Sequence, residues 1–163
     1  MRESLVPRKS WLSATPADTE ALGAQLAAAI AAIPAKDLVV VYLTGDLGAG
    51  KTTLVRGFLH ALGIDEPIRS PTYTLLETYE AAPLTLVHLD LYRLRDPDEL
   101  EPLGLRDLAR PAHVWLIEWP ERGAGWLPPP DLDVHLAVGA QGHRIDARGV
   151  SERGAAFLSR IAA

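Results

Sequence analysis

The sequence has no cysteine, few lysines and no apolar run long enough to cross a bilayer. The absence of cysteine excludes a disulfide framework and a thiolate metal site. The longest apolar runs, LAAAIAAI and LVVVYL, fall well short of the roughly 20 residues that a membrane-spanning helix needs. The N-terminal segment also lacks the apolar core of a signal peptide. These patterns predict a cytoplasmic protein without a membrane partner.

The charge balance argues against a protein that binds nucleic acid on its own. The formal net charge is −5, and Lys9, Lys36 and Lys51 are the only lysines among the 163 residues. Affinity for a phosphate backbone comes mainly from clustered lysine and arginine. Because the sequence has so few lysines, Lys51 is not merely one member of a basic patch. The length predicts a single domain over residues 1–163.

The order of apolar runs and breakers predicts alternating helices and strands. Thr15, followed by Pro16, is a typical helix start, and the residues before Thr15 give no clear pattern. The continuous β-branched run of residues 37–43 is typical of a strand buried on both faces in a parallel sheet. Pro34 is predicted to end the first helix. The other predicted elements are a loop passing into a strand over residues 70–80, strands over 84–94 and 113–119, a capped helix over 96–109 broken near 102–104, a hairpin of two strands joined at 139–142, and a final helix capped by Ser151.

The segment GDLGAGKT, residues 45–52, fits the pattern G-x-x-x-x-G-K-[ST] between a strand and a helix. Its glycines allow a tight loop whose backbone N–H groups converge on an anion, and the following helix start favours the same charge. In such a loop Lys51 contacts the β- and γ-phosphates and the Thr52 hydroxyl binds Mg²⁺. The predicted nucleotide-binding residues are Asp46, Leu47, Gly48, Ala49, Gly50, Lys51, Thr52 and Thr53. The fold class that follows is α/β, a P-loop NTPase-type three-layer fold with a mostly parallel central sheet and an antiparallel edge.

Two carboxylates come at the ends of predicted buried strands. Asp90 follows LVHL and Glu118 follows VWLI. Ligands of open α/β sheets bind outside the carboxyl ends of the strands, so both are expected to face the phosphate loop. Asp90 is the predicted Mg²⁺-side carboxylate. Glu118 is predicted either to reach the ion through water or to orient the attacking water. The alternative is a helix cap or surface charge for Asp90 and a salt bridge with a nearby arginine for Glu118. His88 and Trp119 are interpreted as packing residues.

Thr72, in the segment SPTYT between the loop helix and the Asp90 strand, is a candidate sensor of the γ-phosphate. A threonine in that interval of many P-loop proteins orders with the triphosphate and relaxes after hydrolysis. On these residues alone, a turn followed by the start of a strand is an equally good interpretation.

The nucleotide is predicted to be ATP. GTP-binding proteins read guanine with an Asn/Thr-Lys-x-Asp motif, and the sequence has no asparagine and no lysine in that setting. An ATPase, a small-molecule kinase of the P-loop class and a nucleotide-dependent regulatory module without useful turnover all remain possible on the residues alone.

Five segments in this order, GDLGAGKTTLVRGFLHALG, SPTYTLLETY, HLDLYRL, DELEPLGLRD and LIEWPE, closely resemble the bacterial tRNA threonylcarbamoyladenosine biosynthesis ATPase family TsaE, also called YjeE. The resemblance runs from about residue 38 to residue 120. It implies a small P-loop ATPase, slow alone, that acts with the threonylcarbamoyl-transferase pair TsaD and TsaB on tRNAs reading ANN codons.

The resemblance also implies a division of labour and a set of residue roles. The ATPase would reset the transferase complex between turnovers, and tRNA would be contacted through that complex. Lys51 would contact phosphate, Thr52, Asp90 and Glu118 would surround Mg²⁺, and Thr72 would belong to the γ-phosphate-sensing segment.

Overall fold

The computed structural model describes residues 6–33, 36–68 and 73–162, which fold around one seven-stranded sheet. The strands are β1 (Arg8–Ser13), β2 (Val39–Thr44), β3 (Leu76–Ala81), β4 (Leu84–Asp90), β5 (His113–Glu118), β6 (Leu132–Gly139) and β7 (Gly142–Gly149). The α-helices are α1 (Pro16–Ala31), α2 (Lys51–Ala61), α3 (Leu105–Leu108) and α4 (Glu152–Ser159), and two 3₁₀ helices cover Pro97–Leu103 and Pro120–Gly123.

The strand order is β1-β7-β6-β2-β5-β4-β3. The four central strands, β6, β2, β5 and β4, are parallel to one another, whereas β3 at one edge and β7 and β1 at the other pair antiparallel. The predicted fold class is therefore confirmed, with antiparallel pairing at both edges instead of one.

The first strand is the main element that the sequence did not predict. Arg8–Ser13 pairs with β7, while Trp11 packs against the core and its indole N–H donates to the Ala162 carbonyl at 2.7 Å. These are long-range contacts, and a six-residue segment whose two large apolar side chains, Trp11 and Leu12, are adjacent has no alternation that would predict them.

Strand β2 is buried on both faces, as its continuous apolar run predicts. Val39, Val41 and Leu43 join the larger core cluster, which also includes side chains of α1, α2 and α4. Val40 joins the smaller cluster on the opposite face. Helix α2 lies very close to α1, because a Cβ at Gly57 would come within 2.0 Å of the Glu20 carbonyl oxygen.

The smaller cluster lies beneath the two 3₁₀ helices. The predicted helix over residues 96–109 starts at Asp96, which accepts a hydrogen bond from the Asp98 N–H at 2.9 Å. It runs as a 3₁₀ helix to Leu103, breaks at Gly104 with φ 70°, and resumes as the single turn α3. The break near residues 102–104 is as predicted. Pro102 has no N–H to donate to the preceding turn, which agrees with the end of the 3₁₀ helix just after it.

The predicted helix caps are present. Thr15 accepts from the Asp18 N–H at 3.2 Å, and Asp18 accepts in return from the Thr15 N–H at 3.1 Å. Ser151 caps α4 by accepting from the Gly154 N–H at 3.0 Å. The predicted stop of the first helix at Pro34 lies outside the described residues. Within the described ranges, no helix combines the length and apolar character that crossing a membrane requires.

Candidate functional site

The phosphate loop connects the carboxyl end of β2 to the start of α2. Gly50 stands at the helix N-cap with φ 106°, a left-handed conformation that a residue with a side chain rarely adopts. Because glycine offers no side chain to cap the helix, the first amides of α2 stay available to an anion. The predicted loop and its strand and helix context are confirmed.

The Lys51 side chain folds back over this loop and is only 5% exposed. Its ammonium group donates to the Gly45 carbonyl and, at 2.8 Å, to the Asp46 carbonyl. It also lies 4.5 Å from the centroid of the Trp119 ring, a cation–π contact. Burial lowers the pKa of the Lys51 ammonium, and the charges of Glu118 and Asp90 partly offset that lowering.

The two predicted carboxylates stand side by side. Asp90 and Glu118 are register partners in the parallel pair β4–β5, and they are 5% and 2% exposed. The Thr52 hydroxyl donates to Glu118 Oε1 at 3.0 Å. Asp90 Oδ1 accepts from the Tyr92 N–H at 3.0 Å. The structure thus brings Lys51, Thr52 and both carboxylates together, as the convergence of parallel strand ends predicts.

A hydroxyl and two carboxylates form a donor set of hard oxygen atoms, which suits Mg²⁺. Magnesium in nucleotide sites is usually held by one or two carboxylates together with phosphate oxygens. Thr52 at the start of the loop helix and Asp90 and Glu118 across from it are therefore residues that could hold the ion beside a bound phosphate chain.

His88, two residues before Asp90 on β4, contacts the Glu118 carboxylate. Its Nε2 donates to Glu118 Oε2 at 2.6 Å, and the imidazole is fully buried. Sequence reasoning placed His88 in the core, which is correct, but it missed the contact with Glu118. The alternative expected for Glu118, a salt bridge to an arginine, is not what the described residues show, since the basic partner is this histidine.

The site opens into a cleft of about 560 Å³. One wall consists of the loop and the strand ends, with six of the eight predicted nucleotide-binding residues: Leu47, Gly48, Gly50, Lys51, Thr52 and Thr53. The backbone carbonyls of the other two contact other residues of the site: the Asp46 carbonyl accepts from Lys51, and the Ala49 carbonyl accepts from His143 Nδ1 at 2.6 Å. Thr72 lies outside the described residues.

A second set of residues that line the cleft was not predicted. It comes from the junction of β1 and α1, including Ser13, Thr15 and Thr19, and from His143 of β7. These residues come to the loop because β1 pairs with β7, a pairing without a local sequence signal.

Aromatic and cationic side chains line the rim of the cleft. Trp119 adopts a left-handed backbone conformation with φ 57°, and its ring lies 5.0 Å from that of Tyr92. Trp119 was interpreted as a packing residue; it does pack against the smaller core cluster, but it also lines the cleft. Arg93 lies over the exposed Tyr73 ring at 4.5 Å, whereas Arg56 pairs with Glu20 at 3.7 Å.

The strand, the glycine loop, the uncapped helix start and the carboxylates at neighbouring parallel strand ends define a protein of the P-loop NTPase fold class. Comparison with known proteins narrows this class. The family model described as "Threonylcarbamoyl adenosine biosynthesis protein TsaE" matches residues 13–145. The chain belongs to the TsaE family, and the family resemblance drawn from the sequence is confirmed.

Individual relatives agree with the family match. The chain is 52% identical over 98 residues to the tRNA threonylcarbamoyladenosine biosynthesis protein TsaE of Haemophilus influenzae, covering 60% of this chain and 62% of that protein. It is 40% identical over 124 residues to the protein of the same name from Bacillus subtilis, covering 76% and 74%. The first of these matches thus spans less than two thirds of the relative's length.

A solved structure supports the fold along nearly the whole chain. The crystal structure of Bacillus subtilis YdiB superimposes with a TM-score of 0.77 at 31% identity, covering 96% of this chain and 95% of that one.

Proposed function

We propose that this chain is a Mg²⁺-dependent ATPase that serves as the accessory subunit of the tRNA threonylcarbamoyladenosine modification machinery. The single observation that carries the proposal is the meeting of Lys51, Thr52, Asp90 and Glu118 at the uncapped start of α2. The names of the relatives, which refer to biosynthesis of that modified nucleoside in tRNA, supply the biological setting.

The loop binds the phosphate chain in this proposal. Backbone N–H groups between Asp46 and Thr53 surround the phosphates, and the positive end of α2 favours their charge. The Lys51 ammonium supplies a full positive charge to the β- and γ-phosphates. The same cleft of about 560 Å³, which Thr15 and His143 also line, leaves room for the nucleoside.

The Thr52 hydroxyl and the two carboxylates would hold Mg²⁺, which would neutralise the charge that develops on the phosphate oxygens during transfer. Asp90 provides the first carboxylate, and its Oδ1 accepts a hydrogen bond from the Tyr92 N–H. Glu118, fixed by hydrogen bonds from Thr52 and His88, either reaches the ion through a water molecule or orients the attacking water.

The nucleotide state is read by partners, which we propose are TsaD and TsaB. The formal charge of −5 supports an arrangement in which tRNA is contacted through the complex, since an acidic chain has little affinity for a phosphate backbone. Thr72 is proposed to order its segment on the γ-phosphate, so that triphosphate and diphosphate states differ at the surface. Its role stays a prediction.

The test is phosphate release from ATP by the purified chain in Mg²⁺, with and without the purified transferase pair and with no other acceptor. We expect slow release to water that the pair accelerates. Release that appears only when a small-molecule acceptor is added would favour the kinase, and no release under any condition would favour the regulatory module.

The carboxylates provide the residue-level control for that test. Asp90→Ala and Glu118→Ala should each lower turnover in the complex on the order of 10²-fold, because each removes charge that is arranged around the transferring phosphate. Asp133→Ala is the matched control, since Asp133 lies on β6 outside the cleft and pairs with Arg148. If both cleft variants hydrolyse ATP at the wild-type rate, these carboxylates are structural and the catalytic proposal fails.

A further inference from the structure

The strands β4 and β5 change character toward their carboxyl ends. On the face that carries α2, β4 presents Leu84 and Leu86 and then His88 and Asp90, while β5 presents Val114 and Leu116 and then Glu118. The register pairs His88 with Leu116 and Asp90 with Glu118. On this face of the sheet, His88 therefore lies between the two carboxylates and the apolar side chains of the core.

The histidine is poorly suited to that layer as a packing residue. Its Nδ1 is buried and, within the described residues, has no hydrogen-bond partner. Leaving a buried polar atom unpaired is costly, and a leucine, like its neighbour Leu86, would fill such a place without that cost. What leucine lacks is a donor at the position of Nε2.

The one polar contact of the imidazole is with Glu118. An ionised carboxylate only accepts hydrogen bonds, so at 2.6 Å from Oε2 the ring nitrogen Nε2 must carry a proton. Glu118 then receives donors from two sides, His88 from beneath and Thr52 from the loop helix. The Thr52 hydroxyl is also a proposed ligand of the ion. The contact between His88 and Glu118, in contrast, does not depend on the ion.

We propose that His88 is a positioning residue for the Mg²⁺ site. Its Nε2–H holds Glu118 in the orientation in which the carboxylate faces Thr52 and the cleft, whatever occupies the cleft. The inference rests on the proposed function for the identity of the ion, but the hydrogen bond itself is a property of the chain. Partners of this kind behind a metal-site ligand typically change metal affinity or activity by 10- to 100-fold when lost.

The hydrogen bond is tested first, on nucleotide-free protein labelled with ¹⁵N. We expect the His88 ring Nε2–H to give a proton resonance that is protected from exchange with water, assigned by its loss in His88→Gln. A ring whose proton sits on Nδ1, or an Nε2–H in free exchange with water, would overturn the proposal without any reference to ATP.

The positioning role is tested by two variants that differ in one property. His88→Leu fills the layer without a donor, while His88→Gln keeps an N–H near the position of Nε2. We expect His88→Leu to raise the Mg²⁺ concentration needed for half-maximal tightening of ATP binding by roughly 10- to 100-fold, with unchanged ATP affinity in excess chelator. His88→Gln should restore most of the Mg²⁺ response.

A matched control uses the same substitution on the neighbouring strand. His113 begins β5 at the opposite end of the sheet, where its Nδ1 contacts the Pro111 carbonyl at 3.0 Å. His113→Leu should leave the Mg²⁺ response unchanged. Thermal unfolding of all three variants checks that each is folded at the temperature of the binding measurements.

The outcomes separate the two proposals. If wild type shows Mg²⁺-dependent ATP binding and His88→Leu matches it, the positioning role is wrong and the proposed function stands. If His88→Gln is no better than His88→Leu, the donor is not what matters and the inference is again overturned. If wild type itself shows no response to Mg²⁺, both proposals fail together.

Discussion

Two groups of charged side chains at different regions of the sheet have sharply different surroundings. Lys51, Asp90 and Glu118 meet at the carboxyl ends of the central strands and are at most 5% exposed. On the antiparallel side, Arg148 pairs with Asp133 at 3.1 Å with side chains 43% and 28% exposed. Arg144 pairs with Asp146 in the same strand at 3.1 Å and is more exposed still.

The comparison teaches which charges the fold holds in place for binding. Solvent-exposed ion pairs are screened by water and salt and contribute about 0–1 kcal/mol each to stability. The Arg148–Asp133 and Arg144–Asp146 pairs are therefore replaceable. The cleft charges are withdrawn from water, where an uncompensated charge is costly. Each of them has hydrogen-bond partners. Glu118 contacts Thr52 and His88, and Asp90 accepts from the Tyr92 N–H. Lys51 donates to the carbonyls of Gly45 and Asp46.

The largest expected effect comes from removing the buried cation. Lys51→Ala should weaken ATP binding by about 10²-fold or more and stop measurable turnover, because the phosphates lose a fixed positive charge in a site with little water. The measurement is equilibrium binding of ATP in Mg²⁺. Lys36→Ala, which alters an exposed lysine, is the matched control and should bind normally. Unaltered ATP affinity in Lys51→Ala would contradict the assignment of the loop.

An intermediate effect is expected from the hydroxyl that links the loop helix to Glu118. Thr52→Ala should lose mainly the Mg²⁺-dependent part of turnover, roughly 10- to 100-fold, whereas Thr52→Ser keeps the hydroxyl and should retain it. The measurement is turnover as a function of Mg²⁺ concentration. Thr52 is not a ligand of the ion if the alanine variant keeps the wild-type Mg²⁺ dependence.

The smallest effect is expected on the exposed side of the comparison. Arg148→Ala breaks the pair with Asp133 and should change the free energy of unfolding by less than about 1 kcal/mol, with ATP binding and turnover at wild-type levels. Denaturant unfolding and the phosphate-release assay check both statements. A loss of activity here would show that the antiparallel side contributes to function, which removes the contrast drawn between the two regions.

The loop and its carboxylates could be predicted from sequence because their signals are local. Gly50 and Lys51 belong to one short motif, and Asp90 and Glu118 each follow an apolar run whose end must lie at the same edge of a parallel sheet. The caps of α1 and α4 were equally local, since Thr15 and Ser151 act on residues within the same turn.

The remaining parts of the site depend on register and long-range pairing. His143 reaches the Ala49 carbonyl because β7 lies beside β1, and no nearby residue indicates this. From sequence His88 is interpreted as a core histidine, and only the register shows that it lies two residues before Asp90, on the same face as the Asp90–Glu118 pair. Trp119 follows the same rule, since its contact with Lys51 depends on a left-handed backbone that the sequence Glu-Trp-Pro does not predict.

The ammonium group of Lys51 is held by the main-chain oxygens of Gly45 and Asp46 and by the π-face of Trp119. A phosphate chain that contacts this ammonium must replace or join these partners. A ligand with little negative charge would gain little from that exchange, because hydrogen bonds between charged groups are the stronger ones. The contacts of Lys51 within the loop therefore favour a highly charged phosphate chain over a neutral ligand.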